Sequence, residues 1–163
     1  MKRYQRLARV MGAAALLWCG AAATPASAQA RINKLSDVAF GTLTNFATDS
    51  VQAQSVCAYS LGLLGAYHVT ATGSGSGGAF TLASSGSTLP YEVQWSASSG
   101  QTSGTSLTSG VALTGQYSSA LLSGCTLGAA TTASLIVVIR ATTLTTATAG
   151  SYSGVLTIIL APN

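Results

Sequence analysis

The chain has 163 residues, of which 48% are hydrophobic and only 6% are charged, with a formal net charge of +4. This length and composition fit one domain with a hydrophobic core. Four basic residues within the first nine supply all the excess charge, because the rest of the chain balances three basic against three acidic residues. A nucleic-acid-binding face needs clustered Lys and Arg, so the composition excludes one.

The N-terminus has the pattern of a secretory signal. The basic residues precede an apolar run at 10–23, and Ala26-Ser27-Ala28 supplies the small residues that signal peptidase recognises. The run is shorter than the about 20 residues of a membrane-spanning helix. Lipidation at Cys19 is disfavoured by the bulky Trp18 before it. We therefore expect a signal peptide at 1–28, cleavage after Ala28, export, and a single domain at 29–163.

The exported part has the composition of a β protein. It is rich in Thr, Ser, Gly and Val, and short alternating or apolar segments recur between Gly/Ser clusters. This spacing predicts an all-β, antiparallel sandwich. The Ser/Gly/Thr-rich stretch 98–110 is expected to be a loop rather than a polar surface strand. The predicted strands are 38–43, 51–59, 66–72, 79–82, 91–97, 111–113, 134–139 and 151–160.

The last predicted strand is apolar on both faces. Val155, Thr157 and Ile159 point one way, and the residues between them, Leu156, Ile158 and Leu160, point the other. Continuous apolar runs are typical of strands covered on both sides, and nothing follows Asn163 in this chain to supply a cover. Two interpretations stay open: another chain covers the second face, or the chain's own loops do.

The cysteines predict a disulfide bond. Residues 29–163 contain only Cys57 and Cys125, and an exported pair in an oxidising compartment usually bridges. The bond would close a loop of 68 residues (125 minus 57). A metal site is the alternative, but the single histidine, His68, has no ligand spacing to either cysteine.

Catalytic and cofactor chemistry is not expected. The exported part holds one His, two Asp and one Glu, and it lacks a G-x-S-x-G motif. His68 alternates with Tyr67 and Val69, which indicates the solvent face of a strand. The stretch 73–78 formally matches G-x-G-x-x-G, but a predicted strand follows it, so we interpret it as a hairpin loop. We predict no enzyme, no cofactor and no metal, and we expect Asp37 and Asp49 to accept bonds from turn amides.

Tyr91 and Trp95 lie on one face of a predicted strand, with Val93 between them. Such a stripe is usually part of a core. The alternative is an aromatic contact face that stacks on sugars. In that case the chain would be a self-complete secreted binding module that does not polymerise.

Five segments, in this order, resemble the spore coat protein U domain, a family that includes subunits of archaic chaperone–usher pili. They cover nearly all of the exported part: DVAFGTL at 37–43, SVC at 55–57, AYHVTATG at 66–73, LPYEV at 89–93 and GSYSGVL at 150–156. The resemblance implies a structural subunit or accessory protein of a surface pilus that supports adhesion or biofilm formation. It also implies export to the periplasm of a Gram-negative bacterium and then display on the cell surface.

The resemblance further implies an immunoglobulin-like sandwich that lacks its last strand. The C-terminal strand, with Val155, Thr157 and Ile159, would then border an open acceptor groove. A periplasmic chaperone fills such a groove first, and the N-terminal extension of a neighbouring pilus subunit fills it in the fibre, after passage through an outer-membrane usher.

Two features depart from the family pattern. The usual cysteine near the first strand is missing, so the partner of Cys57 is the distant Cys125. The candidate extension ahead of the first predicted strand is only seven residues long, 29–35, and it spans at most roughly 24 Å when extended. A donor extension of ten or more residues is usual, so the chain fits a minor, terminal or non-polymerising member that accepts a strand.

Overall fold

The computed structural model describes residues 29–163. The predicted signal peptide at 1–28 lies outside the described residues and stays a prediction. One short helix, α1, spans Ala141–Leu144, and 3-10 turns span Leu63–Gly65 and Ser76–Gly78. The strands are β1 (Ala30–Asn33), β2 (Ser50–Ser60), β3 (Ala66–Gly73), β4 (Thr81–Ser84), β5 (Ser87–Pro90), β6 (Glu92–Ser96), β7 (Thr105–Ser106), β8 (Leu113–Tyr117), β9 (Ala133–Ile139) and β10 (Leu156–Pro162).

The strands form two main antiparallel sheets. One has the order β1-β2-β9-β6-β7, the other has the order β10-β3-β8, and β4 and β5 form a separate hairpin. This confirms the predicted all-β, antiparallel sandwich. The pairing β1-β2-β9-β6 follows the A-B-E-D sheet of immunoglobulin domains, and the pair β3-β10 takes the places of strands C and F of the opposite sheet.

The core lies between the sheets, where Trp95 of β6 and Tyr67 of β3 are 1% and 0% exposed. The Trp95 Nε1 donates a hydrogen bond of 3.0 Å to the Tyr67 hydroxyl. The two rings meet edge to face with their centroids 6.3 Å apart. Burial raises the pKa of Tyr67. The two largest core side chains therefore satisfy each other's polar atoms inside an otherwise apolar contact.

Every residue of β9 is buried, so this central strand is covered on both faces. On its outer face the Ser134 hydroxyl donates to the Ser98 carbonyl and accepts from the Gln101 amide. The loop predicted at 98–110 is thus anchored over the sheet. It also contains β7 and the buried Leu107, two features that its polar composition concealed.

The start of the domain differs from the prediction. Residues 38–43 form no strand, although Phe40 and Leu43 pack partly against the core. Gly41 has a φ of +65°, which breaks the extended conformation between these two side chains. Instead, Ala30–Asn33 pairs with β2 from Ser60 to Cys57. Residues expected to precede the first strand are therefore themselves an edge strand.

The predicted disulfide bond between Cys57 and Cys125 is confirmed, with an S–S distance of 2.09 Å and the Cα atoms 5.9 Å apart. It joins β2 to the long loop between β8 and β9. The Asn33 side-chain amide also donates to the Ser123 carbonyl of this loop. Among residues 29–163, no helix is long and apolar enough to cross a membrane.

Candidate functional site at the edge of strand β10

Strand β10 lies at the edge of its sheet. It pairs antiparallel with β3, from Leu156 opposite Gly73 to Pro162 opposite Tyr67. In the part of the chain that the structure describes, no strand pairs with its second edge. In a complete immunoglobulin sandwich the last strand, G, takes this position beside strand F. The second edge of β10 therefore presents main-chain donors and acceptors that another strand could bind.

The two faces of β10 differ in burial. Leu156, Ile158 and Leu160 are partly buried against the core. Val155, Thr157 and Ile159 point outward, and Val155 and Ile159 are 66% and 58% exposed. The sequence-based assignment placed the groove beside Val155, Thr157 and Ile159, whereas the side chains of this strand that meet the core are Leu156, Ile158 and Leu160. The pairing with β3 decides which face of β10 meets the core, because Ile158 and Leu160 lie opposite the fully buried Ala71 and Val69 of β3.

A cleft of about 500 Å³ separates the C-terminal end of β10 from β1. These edge strands belong to different sheets, but they lie close to each other in space. The lining residues are Gln29, Ala30, Arg31, Tyr59, Ser123, Leu160, Ala161 and Pro162. The sandwich is thus open along the side where the edges of its two sheets face each other.

The segment 34–49 connects β1 to β2. Its contact with β2 uses side chains: the Ser36 amide and hydroxyl each donate to the Gln54 Oε1 at 2.9 Å, and the Gln54 Nε2 donates to the Ser36 carbonyl at 3.0 Å. A shallow cleft of about 230 Å³ lies between residues 36–39 and 52–54. Segment 34–49 therefore borders β2 without extending its sheet.

The proposed aromatic contact face is not on the surface. Tyr91 and Trp95 are only 7% and 1% exposed, and Tyr91 lies 5.7 Å from Phe80, measured between ring centroids. Burial also raises the pKa of Tyr91. Tyr91 and Trp95 are therefore core residues, as such a stripe usually is, and the alternative of a sugar-stacking surface does not hold, because β6 turns this stripe toward the opposite sheet.

Three charged residues form a cluster where β9 ends, at the end of the large sheet away from the disulfide bond. The Arg140 guanidinium forms a salt bridge of 2.8 Å with Asp49 and a second salt bridge with Glu92. The hydrogen bond from Arg140 lowers the pKa of Glu92, and the Ala141 amide together with Arg140 lowers the pKa of Asp49. Asp49 thus accepts a hydrogen bond from a backbone amide, as predicted, whereas Asp37 is exposed. The Arg140 cluster joins strand ends.

The remaining candidate ligands are dispersed. The Nδ1 of His68 lies 2.9 Å from Asn163 Oδ1, in a half-exposed position. Within residues 29–163 the structure contains no group of three or more His, Cys, Asp or Glu side chains that could hold a metal ion. The candidate site among residues 29–163 is accordingly the unpaired edge of β10, the strand to which the sequence-based prediction also assigned it.

Comparison with known proteins supports the fold. No family model matches the chain, and no curated protein matches it. A solved chain from work on a chaperone–tip adhesin complex of CFA/I fimbriae matches with a TM-score of 0.50 and 16% identity. The match covers 84% of this chain but only 42% of that one. At this identity the similarity concerns the fold alone: the sandwich described here resembles part of a chain associated with a fimbrial complex.

Proposed function

We propose that this chain is a structural subunit or accessory protein of a chaperone–usher type surface pilus, and that it supports adhesion or biofilm formation. The observation that carries the proposal is the unpaired edge of β10, beside the half-buried Leu156, Ile158 and Leu160. The role is structural rather than catalytic. In this proposal the edge of β10 accepts a strand from another chain by β-augmentation.

The energetics favour a complementing strand. Complete burial of a large apolar side chain is worth roughly 1.5–3 kcal/mol relative to exposure. Three such side chains on β10 are only partly buried. A strand added beside β10 would pair with its main chain and cover these leucine and isoleucine side chains. The gain is a substantial part of the roughly 5–15 kcal/mol net stability of an ordinary domain.

The same edge explains the proposed partners. An exposed strand edge next to apolar side chains is prone to associate with other chains. A periplasmic chaperone would protect this edge after export, and an outer-membrane usher would exchange the chaperone for another pilus subunit. The predicted signal peptide, the disulfide bond and the similarity to a chain associated with a fimbrial complex support a route through the periplasm to the cell surface.

The chain is better suited to accept a strand than to give one. Ala30–Asn33 pairs with β2 of its own sheet and is engaged while β1 is formed. The seven residues expected to act as an extension are therefore partly used by the fold. This supports a minor, terminal or accessory position.

The proposal is tested by fusing a donor strand to the chain. A strand with alternating large apolar residues is attached after Asn163 through a short flexible linker, and thermal unfolding is compared with that of the chain alone. We expect the fusion to unfold at least roughly 10 °C higher, because it buries the core face of β10. A matched control carries Ser at every apolar donor position and should give little gain. Equal melting temperatures for all three proteins would show that the sandwich is already complete.

A further inference from the structure

One end of the sandwich exposes six leucines on two loops. The loop between β2 and β3 and the loop between β8 and β9 carry them, and their exposed fractions range from 47% to 83%. Large apolar side chains grouped on a surface commonly mark an interaction site. We name this group the leucine pole; its members are Leu61, Leu63, Leu64, Leu121, Leu122 and Leu127.

The two loops of the leucine pole are held together by the fold. Ala66 at the start of β3 pairs with Tyr117 at the end of β8, and the Ser118 amide donates to the Gly65 carbonyl at 2.9 Å. The disulfide bond between Cys57 and Cys125 ties the second loop to the end of β2. The leucines are therefore presented from anchored loops at one end of both sheets.

Leu64 is unfavourable for the fold in two independent ways. Its φ is +56°, in the left-handed region where Gly and Asn are preferred over a branched-chain residue such as leucine. Its side chain is also 83% exposed, so it gains almost no burial. Neither the backbone nor the packing accounts for a leucine at this position, and backbone strain of this kind tends to mark functional positions.

Charge is distributed unevenly around the leucine pole. Arg31 and Lys34 are exposed on its flank: Arg31 pairs with Tyr59 across β1 and β2, and the Lys34 Nζ donates to the Ala130 carbonyl. Neither loop contains a carboxylate side chain, and the exposed Asp37, three residues after Lys34, lies beside Gln52 and Ala53 of β2. Asp49 and Glu92 bind Arg140 at the opposite end of β9.

We propose that the leucine pole is a docking surface for a membrane with anionic lipids. Its leucines would enter the boundary between headgroups and acyl chains, while Arg31 and Lys34 face lipid phosphates. Leu63 and Leu64 protrude, with more than four fifths of each side chain exposed. A protein partner would need matched pockets for such side chains, whereas a fluid bilayer needs none. Tyr117, 57% exposed, suits the headgroup level.

Vesicle flotation tests the proposal, which does not depend on the pilus role. The full chain is expressed with its own N-terminal segment and purified after secretion, and mass spectrometry verifies the same N-terminus in every variant. We expect wild type to float with vesicles containing phosphatidylglycerol, to bind pure phosphatidylcholine vesicles less, and to dissociate as salt increases. Leu63→Ser together with Leu64→Asn should weaken binding by roughly tenfold or more.

Two controls separate binding from folding. Leu64→Asn alone should keep or raise the melting temperature, because Asn tolerates the left-handed conformation, and yet reduce binding. Val111→Ser replaces a residue that is 56% exposed near the far end of β3 and should leave binding unchanged. Equal binding by wild type and the double variant would overturn the proposal, as would binding without preference for anionic lipid. If the leucine variants instead abolish lipid-free self-association without affecting vesicle binding, the leucine pole is a protein interface and the membrane proposal is wrong.

Discussion

Arg140 shows how much of the charge in this chain is concentrated at one point. Residues 29–163 contain three acidic and three basic side chains, and three of these six form the Arg140 cluster with Asp49 and Glu92. The cluster joins the end of β9 to β6 and to the residue before β2. All three side chains are near 40% exposed, so solvent screens their interaction. Its contribution to stability should therefore be small and dependent on pH.

Replacing Arg140 tests this dependence. Asp49 and Glu92 have lowered pKa values in the folded protein, so they favour folding at pH values above their ordinary pKa values of 3.8 and 4.5. That stabilisation is lost as the pH falls through the lowered pKa values. We expect Arg140→Gln to destabilise the protein slightly at pH 7, with a difference from wild type that shrinks toward pH 2.5 in urea unfolding. Arg31→Gln is the matched control; a pH-independent effect of Arg140→Gln would contradict the ion-pair explanation.

At the scale of elements, β10 illustrates how pairing determines which side chains form a surface. Because side chains alternate, a shift of one residue in register would exchange the two faces of the strand. The observed register with β3 directs Leu156, Ile158 and Leu160 inward. A complementing strand would therefore cover this inward set, and the outward set would stay accessible.

Adjacent isoleucines on β10 distinguish the two faces. Ile158 packs against the core, whereas Ile159 is 58% exposed. We expect Ile158→Ala to cost about 1–2 kcal/mol of unfolding free energy in the chain alone, and more, toward about 2–5 kcal/mol, once a fused donor strand buries it completely. Ile159→Ala should cost less than about 0.5 kcal/mol in both forms. Chemical denaturation of the four proteins measures these differences. An equal cost of Ile158→Ala with and without the donor strand would argue against a groove at this face.

For the whole molecule, the disulfide bond is the main covalent constraint on a sandwich with open edges. It links residues 68 positions apart and anchors the β8–β9 loop to β2. A cross-link over this length restricts the unfolded chain, which raises the free energy of that state. The bond therefore stabilises the domain while the edge of β10 is unpaired.

Removal of both cysteines should consequently be costly. We expect Cys57→Ala with Cys125→Ala to lose about 4 kcal/mol of unfolding free energy relative to the oxidised wild type. Thermal and urea unfolding, each with and without a reducing agent, measure the loss. The double variant provides the control, because a reducing agent should leave its stability unchanged while lowering that of wild type. If the unfolding free energy of the double variant were within about 0.5 kcal/mol of that of oxidised wild type, the cross-link would contribute little.

Alternation along the chain was sufficient to predict the central strands β2, β3, β6 and β9, because their side chains meet a core on at least one face. Prediction was poorer at the edges. Segment 38–43 has the apolar pattern of a strand, but Gly41 breaks its extension, whereas Ala30–Asn33 has little pattern and forms β1 by pairing with β2. Edge pairing depends on residues distant in sequence, so local propensity did not reveal it.

The sequence by itself determined the all-β class and the disulfide partners, because strand periodicity is local and residues 29–163 contain only two cysteines. Only the tertiary structure decided which face of β10 meets the core, and that Tyr91 and Trp95 are buried. The period of a strand defines two faces but does not say which one the opposite sheet covers. That choice follows from register and sheet packing, which are set by contacts between segments far apart in the chain.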